Sequence, residues 1–462
     1  MSVLETGTNL LDSPDWAPRV YPDLIVDRAG ESLILLHPEQ ARWAVTNEAG
    51  LRLAQALDGS RSAGALCEEL ASRYTGATAQ QIHQDLKGFL RQLYAANLLE
   101  NAPLPKDAAK SKPPKMPDFS IYVTDQCNLQ CKHCYVVMGN MPKTKLSTTD
   151  VFRLLDEYMD LRGECVVNIT GGEPFLRKDI LDIIEKALQR TRFVTVTTNA
   201  MLIKDEQMER LAKLPVRIQV SLDGPSAEIH DFVRGQGSFA KTWAAIERLG
   251  ALGAPDVIIS TTLTRCLLDQ VKAMIDRAED AGVRLLRFVN LNKMKAAEAN
   301  WEVIGPDPEE LRSVIRWLLL EFPRQKRKLT VRAGFPGFVP DADPNGGHWC
   351  PLGETTLVDS QGQAWNCPVL RGPEFTTGNI FDNSLDEIHH GEKNRRLREQ
   401  MLQRRYVVEE CRSCAWRNFC QGGCQASMYL KTGSLTKNDG FCDFRRELYR
   451  EHVMLKLNGK LG

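Results

Sequence analysis

The sequence lacks any excess of one charge, because 59 lysines and arginines are matched by 59 aspartates and glutamates among 462 residues. This balance gives no electrostatic footprint for nucleic acid or for an anionic membrane surface. It also lacks an apolar run of about 18 residues, the length needed to cross a bilayer. Residues 1–14 carry no basic segment followed by an apolar stretch, so a secretory signal is not predicted. We expect a cytoplasmic protein with neither nucleic acid nor membrane as partner.

Cysteine, in contrast, is abundant, with 13 residues in the chain. In a reducing compartment such cysteines bind metals more often than they form disulfides. Ten of them fall into a short central run and a C-terminal group, namely Cys127, Cys131, Cys134, Cys350, Cys367, Cys411, Cys414, Cys420, Cys424 and Cys442. The sequence therefore predicts more than one sulfur-ligated metal site.

Hydrophobic periodicity divides the chain into blocks. Residues 1–100 show short strand patterns and then three helical stripes, which favours a winged-helix-like domain. Residues 101–118 hold five prolines and four lysines, a composition typical of an extended linker. Residues 119–325 alternate strand and helix patterns six times, which predicts an α/β fold with an open, partial (β/α)6 barrel. Residues 326–462 form a loop-rich block whose cysteines would hold it together.

The central cysteines have the spacing Cys127-x3-Cys131-x2-Cys134 and follow the first predicted strand. Three thiolates on one loop would bind three irons of a four-iron cluster and leave the fourth iron open. A zinc site is the alternative, but structural zinc takes four closed ligands. The run Gly171-Gly172-Glu173-Pro174 follows the second strand and Asn199 follows the third. Both therefore lie at the same barrel edge as the cysteine loop, the edge where chemistry takes place in such folds.

These motifs together resemble the radical S-adenosylmethionine (SAM) superfamily. The resemblance implies that the cysteine loop holds a [4Fe–4S] cluster whose open iron binds SAM. It further implies that Gly171, Gly172 and Glu173 meet the SAM amine. By the same resemblance, SAM is also contacted by Asn199, by Ser221 at the ribose, by Arg234 at the carboxylate and by His133 at the adenine. The implied reaction is reductive cleavage of SAM to a 5′-deoxyadenosyl radical that abstracts hydrogen from substrate.

The C-terminal cysteines follow the order Cys350-x16-Cys367, Cys411-x2-Cys414-x5-Cys420-x3-Cys424 and then Cys442. This order is similar to the SPASM extension of peptide- and sulfatase-maturing radical SAM enzymes. The resemblance implies two auxiliary iron–sulfur clusters, three clusters in all, of the [4Fe–4S] type. Cys350, Cys367 and Cys424 would ligate auxiliary cluster I, and Cys411, Cys414, Cys420 and Cys442 would ligate auxiliary cluster II. A zinc-knuckle domain is the alternative.

Auxiliary cluster I has three cysteines in place of four. Glu354, Asp359, water or a substrate thiolate are all open as its fourth ligand. Sulfatase maturases carry an aspartate after the residue that matches Cys367. Pro368 stands there in this sequence, which counts against a formylglycine-forming enzyme.

The first block resembles the PQQ-chaperone-type peptide-recognition element of ribosomal-peptide maturation. The resemblance implies that a leader peptide adds as a strand to the third strand, residues 42–46, and packs on the helix 78–95. A zinc-stabilised winged-helix binding protein is the hypothesis from a different class.

The sequence thus predicts an enzyme that modifies a ribosomally made precursor peptide, with an electron donor such as flavodoxin or ferredoxin. Thioether formation is the favoured reaction, because a substrate thiolate on auxiliary cluster I would place sulfur beside a carbon radical. Carbon–carbon or carbon–oxygen crosslinking, maturation of a peptide-derived redox cofactor and epimerisation are the alternatives.

Overall fold

The computed structural model describes residues 10–73, 76–105, 116–136, 143–338, 350 and 354–460. The N-terminal part opens with an antiparallel sheet in the order β1-β2-β3. Three helices, α1–α3, follow the strands and cover one face of the sheet. The bounds are β1 Ile25–Ala29, β2 Ser32–Leu36, β3 Trp43–Thr46, α1 Glu48–Ala56, α2 Ala63–Arg73 and α3 Ala79–Ala95.

Local capping chemistry sets the starts of α1 and α3. The Asn47 side chain caps the start of α1 by accepting a hydrogen bond from the Gly50 amide at 3.0 Å. Thr78 and Gln81 form a reciprocal capping box at the start of α3. The predicted winged-helix-like arrangement of strands followed by three helices is confirmed.

Both faces of this small sheet are buried. Leu35 and Ala44 pack into the core beneath α1–α3, whereas Ile34, Leu36 and Val45 belong to the main core of the molecule. Successive strand residues point to opposite faces, so the sheet lies between its own helices and the rest of the chain. The N-terminal domain is therefore packed onto the body of the protein.

Polar contacts fix the same packing against the C-terminal block. Asp27 of β1 accepts hydrogen bonds from Trp416 Nε1 at 2.6 Å and from Arg450 at 2.9 and 2.8 Å. The Asn418 amide donates to the Pro38 carbonyl at 2.6 Å. Residues 106–115 of the predicted linker lie outside the described residues.

The barrel contains the six predicted strands as parallel neighbours in chain order. Each strand is followed by at least one helix, which carries the chain back so that the next strand runs parallel to it. The carboxyl ends of the six strands therefore lie at the same edge of the sheet. The predicted partial (β/α)6 barrel is confirmed. Its elements are β4 Asp118–Thr124, α4 Thr148–Arg162, β5 Val166–Gly171, α5 Ile180–Arg190, β6 Val194–Thr198, α6 Asp205–Leu211, β7 Arg217–Ser221, α7 Ala227–Arg234, α8 Ser238–Ala251, β8 Asp256–Leu263, α9 Val271–Asp280 and β9 Leu285–Asn290.

The sheet continues beyond the six strands at both edges. A further parallel strand, β10, pairs with β9, and β11 pairs in parallel with β4 before β12 and β13 turn back antiparallel. One ten-stranded sheet results, with β10 and β13 at its edges. The predicted domain boundary at residue 325 lies between β9 and β10, and these two strands belong to the same sheet. The bounds are β10 Thr330–Ala333, β11 Thr355–Val358, β12 Gln363–Trp365 and β13 Gly378–Asn379.

The remaining helices lie between β9 and β10 and after β13. Two short helices, α10 and α11, fall in a segment where the sequence shows no clear periodicity. The helices are α10 Lys295–Ala299, α11 Trp301–Ile304, α12 Pro308–Arg316, α13 Leu385–His390, α14 Glu392–Val407, α15 Glu409–Arg412, α16 Arg417–Cys420, α17 Gln425–Thr432 and α18 Cys442–Leu457. Within the described ranges, none of the helices combines the length and the apolar character needed to cross a membrane.

Candidate active site

A cavity of ≈ 430 Å³ lies at the carboxyl end of the barrel strands. The cysteine loop after β4 forms one wall, and the ends of β5–β9 form the others. The structure brings most of the predicted residues together here, since the lining includes Cys127, Cys131, His133, Cys134, Gly171, Gly172, Asn199, Ser221 and Arg234. The expectation that these motifs share one barrel edge is confirmed.

Backbone contacts from two helices hold the cysteine loop. The Lys132 amide donates to the Val233 carbonyl at 2.8 Å, and the Ala296 amide of α10 donates to the Cys134 carbonyl at 3.3 Å. Burial raises the pKa of Cys127 and of Cys131, the latter to about 12, while the Arg234 charge acts on both thiols in the opposite direction. Sulfur donors on a held loop beside a fixed cation fit an anionic iron–sulfur cluster.

The two glycines after β5 permit a close backbone approach to the cysteine loop. A Cβ on Gly171 would lie 2.2 Å from the Thr124 carbonyl oxygen, and one on Gly172 would lie 2.1 Å from that of Gln126. Gly171 also has φ +147°, which L side chains rarely adopt. The Gly172 amide donates to Thr124 at 2.7 Å. These glycines therefore join β5 to the start of the cysteine loop, in addition to lining the cavity.

Glu173 lies behind the cavity wall and is fully buried. Its carboxylate accepts hydrogen bonds from Thr198 Oγ1 at 2.7 Å, from the Asn199 amide at 2.8 Å and from the Phe175 amide at 3.1 Å. Burial raises the pKa of this carboxyl, whereas these hydrogen bonds lower it. In this geometry the carboxylate faces the end of β6 and not the cavity, so Glu173 positions Asn199.

Asn199 connects β6 with the cysteine loop. Its side-chain amide donates to Asn128 Oδ1 at 2.8 Å, and its own oxygen accepts from the Met201 amide at 3.0 Å. Asn128 lies directly after Cys127. The wall of the cavity is thus built by hydrogen bonds between neighbouring strand ends.

Asp223 is the main polar residue of the site to which the sequence analysis assigned no role. It is fully buried and accepts hydrogen bonds from Arg234 Nε at 2.6 Å and from the Thr262 amide at 2.8 Å. His133 Nε2 lies 2.9 Å from the same carboxylate. Burial opposes ionisation of Asp223, but the Arg234 and His133 side chains outweigh it and lower the pKa of the carboxyl. Its position at the end of β7, two residues after Ser221, was the signal that could have found it.

His133 and Arg234 are therefore oriented before any ligand binds. His133 Nδ1 is buried and has no hydrogen-bond partner in the described part of the chain. An unsatisfied buried ring nitrogen in the wall of a cavity is a ready contact for a polar ligand. The residues present fit a cofactor with both charged and hydrogen-bonding groups, as SAM has.

The C-terminal cysteines form two groups. The thiols of Cys420, Cys442 and Cys414 all act electrostatically on buried Cys411, whose pKa is raised to about 12 chiefly by burial. The Cys424 thiol raises the pKa of Cys367, which burial raises more strongly, and Cys350 packs on the same apolar cluster as these two cysteines. In the described residues, no trio of His, Cys, Asp or Glu side chains is arranged to hold a single metal ion. A four-iron cluster instead takes each thiolate on a different iron.

The two carboxylates considered for auxiliary cluster I are engaged elsewhere. Glu354 forms ion pairs with Arg162 at 2.7 Å and with Arg398. Asp359 accepts from the backbone amides of Gln361 and Gln363, both at 2.9 Å. Cys134 packs on the apolar cluster shared by Cys350, Cys367 and Cys424, and Pro368 and Val369 line the central cavity. The second cysteine group therefore adjoins the wall of the cavity.

Comparison with known families agrees with this geometry. Residues 121–278 match the Radical SAM superfamily, residues 350–415 match the SPASM iron-sulfur cluster-binding domain, and residues 32–99 match Coenzyme PQQ synthesis protein D. The fold and the site define a radical SAM enzyme, which implies iron–sulfur clusters and SAM as cofactors.

Comparison with individual proteins shows which group within this superfamily the chain resembles. Mycofactocin maturase MftC of Mycolicibacterium smegmatis is 31% identical over 326 residues, which cover 69% of this chain and 81% of the relative. The chain therefore belongs to the SPASM-containing peptide maturases of the radical SAM superfamily.

Two solved structures share the fold. Native anSMEcpe with bound AdoMet has a TM-score of 0.60 at 19% identity, covering 74% of this chain and 98% of that one. Streptococcus suis SuiB bound to precursor peptide SuiA has a TM-score of 0.58 at 15% identity. The SuiB match covers 92% of this chain and 99% of that one, so the likeness extends over the N-terminal domain as well as the barrel.

Proposed function

We propose that this enzyme forms a thioether in a ribosomally synthesised precursor peptide, joining a cysteine sulfur to a carbon. The observation that carries the proposal is the position of the three-cysteine group beside the cavity. Cys367 is followed by Pro368 and Val369, which line that cavity, and both nearby carboxylates weighed as a fourth ligand are bound elsewhere. A substrate thiolate is then a natural fourth ligand for auxiliary cluster I.

Three clusters follow from the cysteine groups in this proposal. Cys127, Cys131 and Cys134 would hold the SAM cluster, and the two C-terminal groups would hold auxiliary clusters I and II. When bound, the SAM cluster and SAM would supply a 5′-deoxyadenosyl radical that removes one hydrogen atom from an unactivated C–H bond. As the C–S bond forms, the thiol would release a proton and auxiliary cluster I would accept the remaining electron. An electron donor such as flavodoxin or ferredoxin would reduce the clusters.

The chain's own residues bind and orient SAM at the cysteine loop. We assign direct contacts to Gly171, Gly172, Asn199, Ser221 and His133, which all line the cavity. Arg234 lines it too and presents a guanidinium whose direction is fixed by Asp223. Such preorganised groups need no rearrangement when the ligand arrives, which favours binding in one productive pose.

The C-terminal block and α10 help to exclude water from the reacting atoms. Met294 lines the cavity from the segment before α10, and Pro368 and Val369 line it from the block that carries auxiliary cluster I. Apolar groups at these positions limit quenching of a reactive radical by solvent.

The N-terminal domain supplies the leader-binding surface in this proposal. β3 is an edge strand of its sheet, and an edge strand offers unpaired backbone groups to an added peptide strand. α3 lies beside it, since Gln92 of α3 donates to the Val45 carbonyl of β3 at 2.8 Å. The leader would lie between β3 and α3 as the resemblance implies.

Mass spectrometry of the reacted precursor tests the proposal. We expect a product that has lost two hydrogens and whose participating cysteine resists alkylation. Replacing that cysteine in the precursor with serine should abolish the mass loss. A mass loss that persists in the serine peptide would reject the thioether.

A second candidate is a carbon–carbon or carbon–oxygen crosslink on the way to a peptide-derived redox cofactor. The observation that favours it is the relative named a mycofactocin maturase. This product would still form when the cysteines of the precursor are replaced, and it would leave any cysteine that is present open to alkylation. Epimerisation, the third reaction considered, would leave the mass unchanged.

A further inference from the structure

Two arginines stand in register on neighbouring strands of the barrel. Arg332 of edge strand β10 pairs with Arg287 of β9 in the parallel ladder. Residues in register on adjacent strands point to the same face. Arg287 lines the central cavity, so both side chains lie on the cavity face of the sheet.

Neither arginine has a hydrogen bond or an ion pair within the described part of the chain. Arg284, just before β9, is paired with Asp256 at 2.6 Å, and Arg234, which also lines the cavity, is paired with Asp223. The chain thus supplies ion-pair partners to these arginines, whereas Arg287 has only the electrostatic influence of Tyr135 and Asp118. Like charges in register on neighbouring strands repel, which destabilises the sheet unless an anion lies between them.

The surroundings of Arg287 strengthen its tendency to bind an anion. Its side chain is accessible from the cavity, yet desolvation lowers the pKa of its guanidinium; Arg332 lowers this pKa further, while Tyr135 and Asp118 act in the opposite direction. The exposed part of the Arg287 side chain faces the cavity, which its lining residues partly surround. A cation held in such a place binds anions more strongly than one in bulk water.

We propose that Arg287 and Arg332 bind a carboxylate of the peptide substrate. The inference rests on the proposed function, which makes the ligand a peptide and so a carboxylate bearer. The planar guanidinium fork matches a carboxylate in two parallel hydrogen bonds. Because β10 is an edge strand, an extended peptide reaches the pair from outside the barrel. The carboxylate belongs either to the C-terminus of the precursor or to an aspartate or glutamate of its core.

The test uses the reconstituted full-length enzyme and, as the probe, a short cysteine-bearing peptide taken from an open reading frame that neighbours its gene. The peptide is prepared in three forms: unmodified, with a C-terminal amide, and with its acidic core residues changed to amides. Variants are Arg287→Gln and Arg332→Gln, with Arg284→Gln as the matched control because it removes an arginine of the same region that is already paired. Peptide KM, kcat and the KM for SAM are measured for each combination.

We expect each cavity variant to raise the peptide KM by roughly 10- to 100-fold, with the KM for SAM unchanged. The control should resemble the unaltered enzyme. One of the two amide peptides should show the same loss with unaltered enzyme and little further loss with Arg287→Gln, because the partner is already missing. Which amide behaves so identifies the source of the carboxylate.

Three results would overturn the inference while leaving the proposed function intact. They are an unchanged peptide KM in both variants, equal binding of all three peptides by the unaltered enzyme, and a loss confined to the KM for SAM. An unaltered enzyme that modifies none of the peptides would instead remove the proposed function and this inference together.

Discussion

The cysteine loop and the last cysteine group differ in what surrounds their thiols. Cys127, Cys131 and Cys134 line an open cavity together with polar strand ends. Cys411, Cys414 and Cys420 lie instead among enclosed side chains, where Cys414 and Cys420 pack against the main core of the molecule and Cys411 is buried. We therefore expect the same chemical group to serve two purposes. Thiols at a cavity leave room for a ligand, whereas thiols enclosed by protein would hold a cluster that stabilises the fold.

Removing one thiol from each region should separate these purposes most strongly. Cys131→Ala is expected to lower 5′-deoxyadenosine formation by at least about 10³-fold while the folded protein and about eight of about twelve irons remain. Cys411→Ala is expected to reduce the yield of folded protein, because a structural metal site contributes to folding directly. Product analysis and iron determination on both variants check this.

Equal loss of soluble protein in the two variants would show that the cysteine loop is structural as well. Retention of full SAM cleavage in Cys131→Ala would show that this loop does not hold the cleaving cluster.

The buried ion pairs of the two regions provide the next comparison. Asp223 pairs with Arg234 at the cavity, and Asp439 pairs with Arg445 beside the enclosed cysteines. Asp223→Asn and Asp439→Asn each leave an arginine buried without its counter-ion, and each should destabilise the protein by about 3–5 kcal/mol. Only Asp223→Asn should also weaken SAM binding, because Asp223 orients Arg234 and His133 in the cavity. Denaturant unfolding and SAM titration measure the two effects.

Glu228→Gln, an exposed change on α7 near the same site, is the control and should alter neither quantity. Weaker SAM binding in Asp439→Asn would mean that the enclosed region also controls the cavity.

The docking of the N-terminal domain depends on the enclosed region. Trp416 lies between Cys414 and Cys420 and donates to Asp27 at 2.6 Å. Asp27→Asn weakens charge-assisted hydrogen bonds of about 1–3 kcal/mol, so amide exchange in β1 should accelerate by roughly 5- to 100-fold. Hydrogen-exchange mass spectrometry checks this, with the exposed change Glu31→Gln as control.

Accelerated exchange around Cys127 in Asp27→Asn, with β1 unchanged, would contradict the assignment of this contact to the domain interface.

The smallest expected effect is a pH dependence of folding stability that arises in the region of the cavity. Burial lowers the pKa of His230 to about 4, with the Arg234 charge adding to it while Asp223 and Asp231 oppose it. The unfolded chain titrates near the ordinary value of 6.5, so it binds more protons below that pH and stability falls as pH falls. Between pH 7.5 and 5.5 His230 should cost about 1.4 kcal/mol.

Unfolding free energies at both pH values, compared with those of His230→Asn, isolate this contribution. A variant that loses as much stability as the unaltered protein over this range would show that His230 has the same pKa in the folded and the unfolded chain.

The sequence predicted local structure better than long-range pairing. The barrel strands follow from their apolar runs, and the six strand patterns predicted over residues 119–325 are matched by β4–β9. The pairing of β11 with β4 has no local signal, because Thr355 and Asp118 are far apart in the chain. The register of Arg332 with Arg287 is hidden for the same reason.

The candidate site shows the same difference between local features and long-range contacts. Spacing identified the cysteines and glycines, since each motif lies within one loop. The resemblance assigned Glu173 to the SAM amine, but only the fold shows that its carboxylate faces the end of β6. Contacts that join different strand ends, such as those of Asp223, depend on how the strands and helices pack. They cannot be predicted from any short segment of the sequence.

The most direct test of the account is whether SAM binds to the cluster held by Cys127, Cys131 and Cys134. Electron paramagnetic resonance of the anaerobically reduced protein, with SAM labelled in its carboxylate or amine, measures the coupling between the label and the cluster. We expect a coupling in the unaltered enzyme and in Asp27→Asn, and its loss in Cys131→Ala. A reduced, fully loaded enzyme that shows no coupling to labelled SAM would contradict it.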